Sequence, residues 1–148
     1  MNIQITSRLD STHSASLERL FYFHPEQSDF TEGILEEIGN SGSPQLAKAD
    51  GNIGIHLPKI PEAQTLYALD RSGSQEILLG VMVFTRRDRT TLQMLHIAVS
   101  PEHTHLANQG HSPVTVALVG ELCRLGATIR GVELVVLAYG RGKIAIGK

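Results

Sequence analysis

Two apolar stretches, residues 92–99 (LQMLHIAV) and 132–139 (VELVVLAY), flank one helix-compatible segment, and this arrangement constrains the fold more than any other feature of the chain. The segment opens with a helix-start signature. Ser112 is suited to cap the first turn, and Pro113 takes the first helical position, where its missing N–H costs nothing. Beyond it, Leu118, Leu122 and Leu125 form one stripe, and Val116, Val119 and Cys123 widen it. Only Thr115, Glu121 and Arg124 leave a narrow polar edge, so the helix has to lie flat on a sheet. Gly126 is expected to end it. Residues 132–139 are a near-continuous apolar run of the kind buried on both faces in parallel pairing. Strand, helix, strand in this order requires a right-handed crossover, with 92–99 and 132–139 parallel.

Upstream, residues 65–69 (TLYAL), a turn at 71–74 (RSGS) and residues 76–84 (EILLGVMVF) read as a hairpin. The charged turn 86–90 (RRDRT), which keeps the loop soluble, leads into 92–99 and makes the three runs an antiparallel meander. Residues 2–6 (NIQIT) alternate like a short strand. Residues 14–23 carry Leu17, Leu20 and Phe21 at helical spacing, with Ser14 or Ser16 as cap, and stop before Pro25. Residues 30–38 (FTEGILEEI) predict a second helix, weakened by Gly33 and stopped at Gly39. From 39 to 61, four glycines (Gly39, Gly42, Gly51, Gly54) and three prolines (Pro44, Pro58, Pro61) predict an irregular loop. The expected fold is α/β of the α+β type: a mixed sheet with an antiparallel meander followed by a parallel strand-helix-strand unit. It forms one domain, with helices and a loop over 1–63, a core over 64–139 and a tail over 140–148.

Composition narrows the function. A single cysteine, Cys123, excludes an intramolecular disulfide framework and a Cys-based zinc cluster and points to a reducing, cytoplasmic setting. The longest apolar run, 77–84, is far shorter than the about 20 residues of a membrane-spanning helix, and the start Met1-Asn2-Ile3-Gln4 lacks the features of an export signal. No membrane association is expected. A net charge of −2 argues against a nucleic-acid partner. Within that total, residues 24–63 hold seven acids (Glu26, Asp29, Glu32, Glu36, Glu37, Asp50, Glu62) against two bases, whereas residues 64–148 hold nine bases against six acids. Ordinary solvated surfaces account for such blocks; as ligand surfaces, the first suits a cation and the second a phosphate. His103, His105 and His111, with Glu102, match no standard zinc spacing. No nucleophile elbow is present.

The chemistry-bearing element is the loop before the capped helix. A helix N-terminus presents unpaired amides and partial positive charge, a natural cradle for pyrophosphate. Gln109, Gly110, His111 and Ser112 sit where those amides converge; Gly110 permits close backbone approach, and Ser112 either caps the helix or donates to a ligand. This is neither a dinucleotide fingerprint nor a Walker loop, and Gly140-Arg141-Gly142-Lys143 lacks the spacing and the following helix.

Together, the antiparallel strands 76–84 and 92–99, Val99-Ser100-Pro101, the 109–112 loop, the helix from Pro113 and the strand 132–139 resemble the GNAT superfamily of acyl-CoA-dependent N-acyltransferases over residues 65–139. In that family the fourth strand ends in Val-x-Pro, and an Arg/Gln-x-x-Gly-x-Gly/Ala loop wraps the CoA pyrophosphate. Gly110 matches the first loop glycine and Ser112 the final small residue, with Ala107 where Arg or Gln is preferred. Starting the motif at Gln109 instead puts Ser112 and Val114 at the glycine positions. The resemblance implies that the fourth and fifth strands splay, so that pantetheine inserts against backbone groups of Ile97, Ala98 and Val99, while Gln109, Gly110, His111, Ser112 and Val114 surround the diphosphate. It also implies direct attack of an amine on the bound thioester, which needs a base, oxyanion donors and an acid for the thiolate.

The family often places a carboxylate on the fourth strand, but 92–99 contains none. His96 is the only titratable side chain there, either as a hydrogen-bonded strand residue or as a base, directly or through water. The family's thiolate-protonating tyrosine lies on a helix after the fifth strand. Here Tyr139 either packs its ring with a solvated hydroxyl or approaches the sulfur from the strand end. Family members usually add a helix and two strands after this point, so the pattern is that of a C-terminally truncated member. Residues 144–146 allow one very short strand, and an exposed fifth-strand edge suggests a homodimer. The expectations are acetyl-CoA or another acyl-CoA as co-substrate, no metal, and a small-molecule or peptide amine as acceptor. The alternative is a GNAT-fold domain that has lost its chemistry and acts as a CoA-sensing or protein-interaction module.

Overall fold

The structure is a computed structural model and describes residues 2–22, 31–100 and 112–147. In chain order the elements are β1 (Ile3–Thr6), β2 (Leu9–Asp10), a 3-10 turn (Ser11–His13), α1 (Ser14–Tyr22), α2 (Thr31–Ser41), β3 (Gln45–Ala49), β4 (Asn52–His56), β5 (Gln64–Asp70), β6 (Ile77–Arg86), β7 (Thr91–Val99), α3 (Pro113–Thr128), β8 (Leu134–Val136), a second 3-10 turn (Ala138–Gly140) and β9 (Lys143–Ala145). A six-stranded mixed sheet runs β1-β5-β6-β7-β8-β9, and a small sheet runs β2-β4-β3. The meander β5–β6–β7 is antiparallel, and β7 pairs with β8 in parallel across α3.

Both faces of the central strands are covered. On one face Val114, Leu118 and Leu122 of α3 pack with Leu79, Met82, Met94, Ile97 and Val99. On the other, Leu17 and Leu20 of α1 and Ile53 and Ile55 of β4 pack with Val81, Val83, Leu95 and Ala98. This double cover explains why β6 and β7, though antiparallel, read as continuous apolar runs instead of alternating ones. Gly80 sets how close α3 comes: a Cβ there would lie 2.8 Å from Val114 Cγ1 and 3.2 Å from the Ala98 carbonyl oxygen.

Several boundaries differ from the sequence reading. Residues 39–61 are not an irregular loop, because they hold the hairpin β3–β4. Its two turn residues, Asp50 and Gly51, both have positive φ (52° and 79°), the two-residue turn that matches strand twist. α2 passes through Gly39 and ends at Gly42, whose φ is 88° and whose N–H donates to Ile38 O. α3 continues past Gly126 to Thr128, and Val116 lies on its exposed side. The buried strand expected over 132–139 is regular only from Leu134 to Val136, so Tyr139 stands on a turn and not on a strand. The tail forms β9, which pairs with β8 at Leu134↔Ala145, Val135↔Ile144 and Val136↔Lys143. β8 is therefore no bare edge, and the reason given for a homodimer falls away. Among the described residues, no helix is long and apolar enough to cross a membrane.

Candidate functional site

The parallel pair β7–β8 opens after three residues. β8 matches β7 only at Thr91↔Leu134, Leu92↔Val135 and Gln93↔Val136, whereas β7 runs on to Val99. Past Val136 the chain turns away: the Leu137 N–H donates to Gly142 O, and Tyr139 and Gly140 adopt left-handed backbone (φ 59° and 71°) on the way to β9. β7 also carries an extra residue. His96 lies opposite Val83 and Met94 opposite Phe84, which leaves Leu95 in a bulge. Leu95 and His96 consequently both project from the face that packs on α1.

This local geometry joins the two residues that the sequence offered for catalysis. Tyr139 Oη lies 3.1 Å from His96 Nδ1 and accepts the Ile97 N–H at 3.2 Å. The rings are tilted by 60° with centroids 5.9 Å apart. His96 is only 2% exposed, and burial lowers its pKa to about 4. Burial pushes the Tyr139 phenol up to about 12, the Ile97 N–H opposes that shift, and the charge of Glu37 adds to it. At neutral pH both groups are uncharged, and one proton lies between Oη and Nδ1. His96 is thus a hydrogen-bonded strand residue, and Tyr139 does not end in solvent.

Tyr139 also lines a cavity of about 530 Å³ between α2, the start of β7 and the β8–β9 turn. Gly33, Glu36, Glu37 and Asn40 form its α2 wall, and Gln93, Gly142 and Lys143 stand across from them. Glu37 is half-buried. Burial raises its carboxyl pKa and the neighbouring Glu36 adds to this, while the Ser41 hydroxyl, which donates to Glu37 Oε2, opposes it. Sequence reasoning did not single out Glu37; the only signal was the acidic excess over 24–63, in which it is one of seven similar side chains. Among the described residues, no group of three His, Cys, Asp or Glu side chains is placed to hold a metal ion.

At the other end of the opening, Ser112 caps α3. Its Oγ accepts the N–H groups of Val114 and Thr115, each at 3.1 Å, and its carbonyl accepts that of Val116. Each amide of the first turn therefore has a partner within the chain, and Val114 is fully buried. Of the two roles open to Ser112, the structure displays the cap. Gln109, Gly110 and His111 lie outside the described residues, as do His103 and His105. Along β7, the Ser100 N–H donates to Leu79 O on β6 and the Ile97 N–H to Tyr139. Strand alternation then turns the polar groups of Ala98 toward β6, and those of Ile97 and Val99 toward the side that β8 has left. Ala98 is thereby separated from the other two residues proposed to contact pantetheine. No protein-family model, no curated protein and no solved structure matches this chain.

Proposed function

We propose that the chain is an acyl-CoA-dependent N-acyltransferase of GNAT type, which takes acetyl-CoA or another acyl-CoA and passes the acyl group directly to an amine. The observation that carries this reading is the early opening of the β7–β8 pair, with the His96–Tyr139 pair set at the opening and the cavity beside it. A strand-like pantetheine arm would meet the Ile97 carbonyl and the polar groups of Val99. Tyr139 Oη accepts the Ile97 N–H at the position where an acceptor group of such an arm would come. The diphosphate would fall to the amides of Gln109, Gly110 and His111, since Ser112 already engages those of Val114 and Thr115.

Within this reading, Tyr139 is the acid. Its phenol keeps its proton at neutral pH and can hand it to a leaving thiolate, and the adjacent His96 Nδ1 orients the hydroxyl. His96 is poorly suited to be the base, because its burial favours the uncharged ring. A second reading, a CoA-sensing or protein-interaction module without turnover, draws support from the absence of a carboxylate on β7 and from the capped amides of α3.

Titration calorimetry with acetyl-CoA, followed by thiol-release assays on polyamines, aminoglycosides and peptide amines, tests both. Binding with turnover supports the transferase. Binding without turnover across the panel supports the CoA sensor, and absence of binding rejects the transferase and the CoA sensor and leaves the protein-interaction module. Ligand at 100 times its Kd should add about 2.7 kcal/mol of stability. Gly110→Asp is expected to weaken binding strongly by adding bulk and negative charge next to the diphosphate.

A further inference from the structure

We infer that Tyr139 is a latch on the coenzyme groove: in the free chain its hydroxyl holds the Ile97 amide, and the coenzyme arm binds by taking that amide from it; this rests on the coenzyme-binding reading above. β8 pairs with β7 only as far as Gln93, so among the described residues the far half of β7 has no strand partner on that side. A buried amide without an acceptor costs stability, and an open strand edge invites another extended chain. Tyr139 answers both. Its Oη accepts the Ile97 N–H at 3.2 Å and lies 3.1 Å from His96 Nδ1, so the hydroxyl is held from two sides. The amide it satisfies is the one that a carbonyl of a strand-like arm would engage, and the two acceptors compete for one donor.

The side chain can leave while its backbone stays. Tyr139 sits in left-handed backbone (φ 59°) on a turn closed by the bonds Leu137 N–H to Gly142 O and Arg141 N–H to Ala138 O. α2 abuts its Cα and Cβ at Gly33, where no side chain intervenes. The ring, by contrast, borders the cavity of about 530 Å³ between α2 and the β8–β9 turn. Release is therefore a rotation about the Cα–Cβ bond toward that cavity. No covalent bond changes, and one hydrogen bond from Ile97 passes from the phenol oxygen to the arm. Because the free chain already satisfies the amide, the exchange offsets part of the affinity that this contact would otherwise contribute. It also frees the phenol from the backbone only when an arm occupies the groove.

The test compares wild type, Tyr139→Phe and Tyr67→Phe by titration calorimetry with acetyl-CoA, with folding checked by circular dichroism. Tyr139→Phe leaves the Ile97 amide without the phenol oxygen in the free chain, so acetyl-CoA should bind about fivefold tighter or more. An adenosine bisphosphate that lacks the arm should bind wild type and Tyr139→Phe equally. Tyr67, whose hydroxyl bonds the Ile53 carbonyl on the other face of the sheet, is the control, and its variant should keep wild-type affinity. In wild type with carbon-13 at the tyrosine Cζ, saturating acetyl-CoA should move the Tyr139 resonance and leave that of Tyr67 in place; this measurement decides if Tyr139→Phe does not fold. Equal or weaker acetyl-CoA binding by folded Tyr139→Phe, an equal gain for the bisphosphate, or an unmoved Tyr139 resonance would overturn the latch and leave the coenzyme reading standing. Acetyl-CoA binding to neither wild type nor variant would overturn the coenzyme reading and the latch together.

Discussion

A side chain at position 33 would begin where Tyr139 already is: a Cβ on Gly33 would lie 2.9 Å from the Tyr139 Cβ and 3.2 Å from its Cα. α2 touches the β8–β9 turn through this glycine, and the contact holds the phenol on His96 and Ile97. In an exposed helix, Gly→Ala gains roughly 1 kcal/mol. Here the opposing atoms belong to a Cβ and a backbone, and neither can rotate away. Gly33→Ala should therefore lower stability by about 1–2 kcal/mol in urea titration and shift the His96 imidazole resonances. A more stable variant with unchanged resonances would contradict the contact.

Tyr139→Phe keeps the ring and deletes the oxygen that serves both the Ile97 N–H and His96 Nδ1. Removing an acceptor from a buried amide costs about 1–3 kcal/mol, and urea unfolding should register a loss in that range. The Ile97 amide should exchange with deuterium faster than in wild type. A loss below 0.5 kcal/mol, taken as roughly the noise of such measurements, would mean that the hydroxyl bonds little in solution.

His96 makes stability depend on pH in a definite direction. Its folded pKa is about 4 and its unfolded pKa is near 6.5, so below 6.5 the unfolded chain binds a proton that the folded chain refuses. The contribution is complete above pH 6.5 and is lost as pH falls toward 4, by about 3 kcal/mol in total. Asp10, Asp70, Asp88, Glu76 and Glu121, held low by local hydrogen bonds, lose their contributions mainly below the ordinary carboxylate range, and Glu37, raised by burial, acts in the opposite direction, so the histidine is isolated by comparing wild type with its own variant. Urea midpoints between pH 7.5 and 4.5 should slope in wild type and flatten in His96→Asn. Parallel slopes would show that another group is responsible.

Ser112→Ala removes the acceptor of two amides at the start of α3, and a lost N-cap costs about 1 kcal/mol. Ser112→Asp supplies a carboxylate in the same place and should recover most of it. Thermal melts of the two variants test the cap directly, and equal melting temperatures for Ser112→Ala and wild type would refute it.

The meander, the capped helix and the parallel return strand were legible because each rests on local signals. The runs over β5, β6 and β7 are long and apolar, and Ser112-Pro113 marks a helix start through atoms within one turn. The hairpin β3–β4 carried its own local sign in Asp50-Gly51, but the glycines and prolines around it resemble those of a loop. Only the burial of Ile53 and Ile55 beneath the sheet separates the two cases.

The site divides along the same line. His96 and Tyr139 were visible as titratable side chains in apolar runs, and the sequence by itself determined the strand that carries His96, whereas the run ending in Tyr139 leaves the sheet early and puts that residue on a turn. Their hydrogen bond depends on the bulge at Leu95 and the left-handed backbone at Tyr139. It also needs the absence of a side chain at Gly33. Glu37 looked like any other surface acid until α2 packed against the turn and made it one wall of an open cavity. Proximity between residues 33, 37, 96 and 139 is a property of packed layers, and no spacing along a single chain segment encodes it.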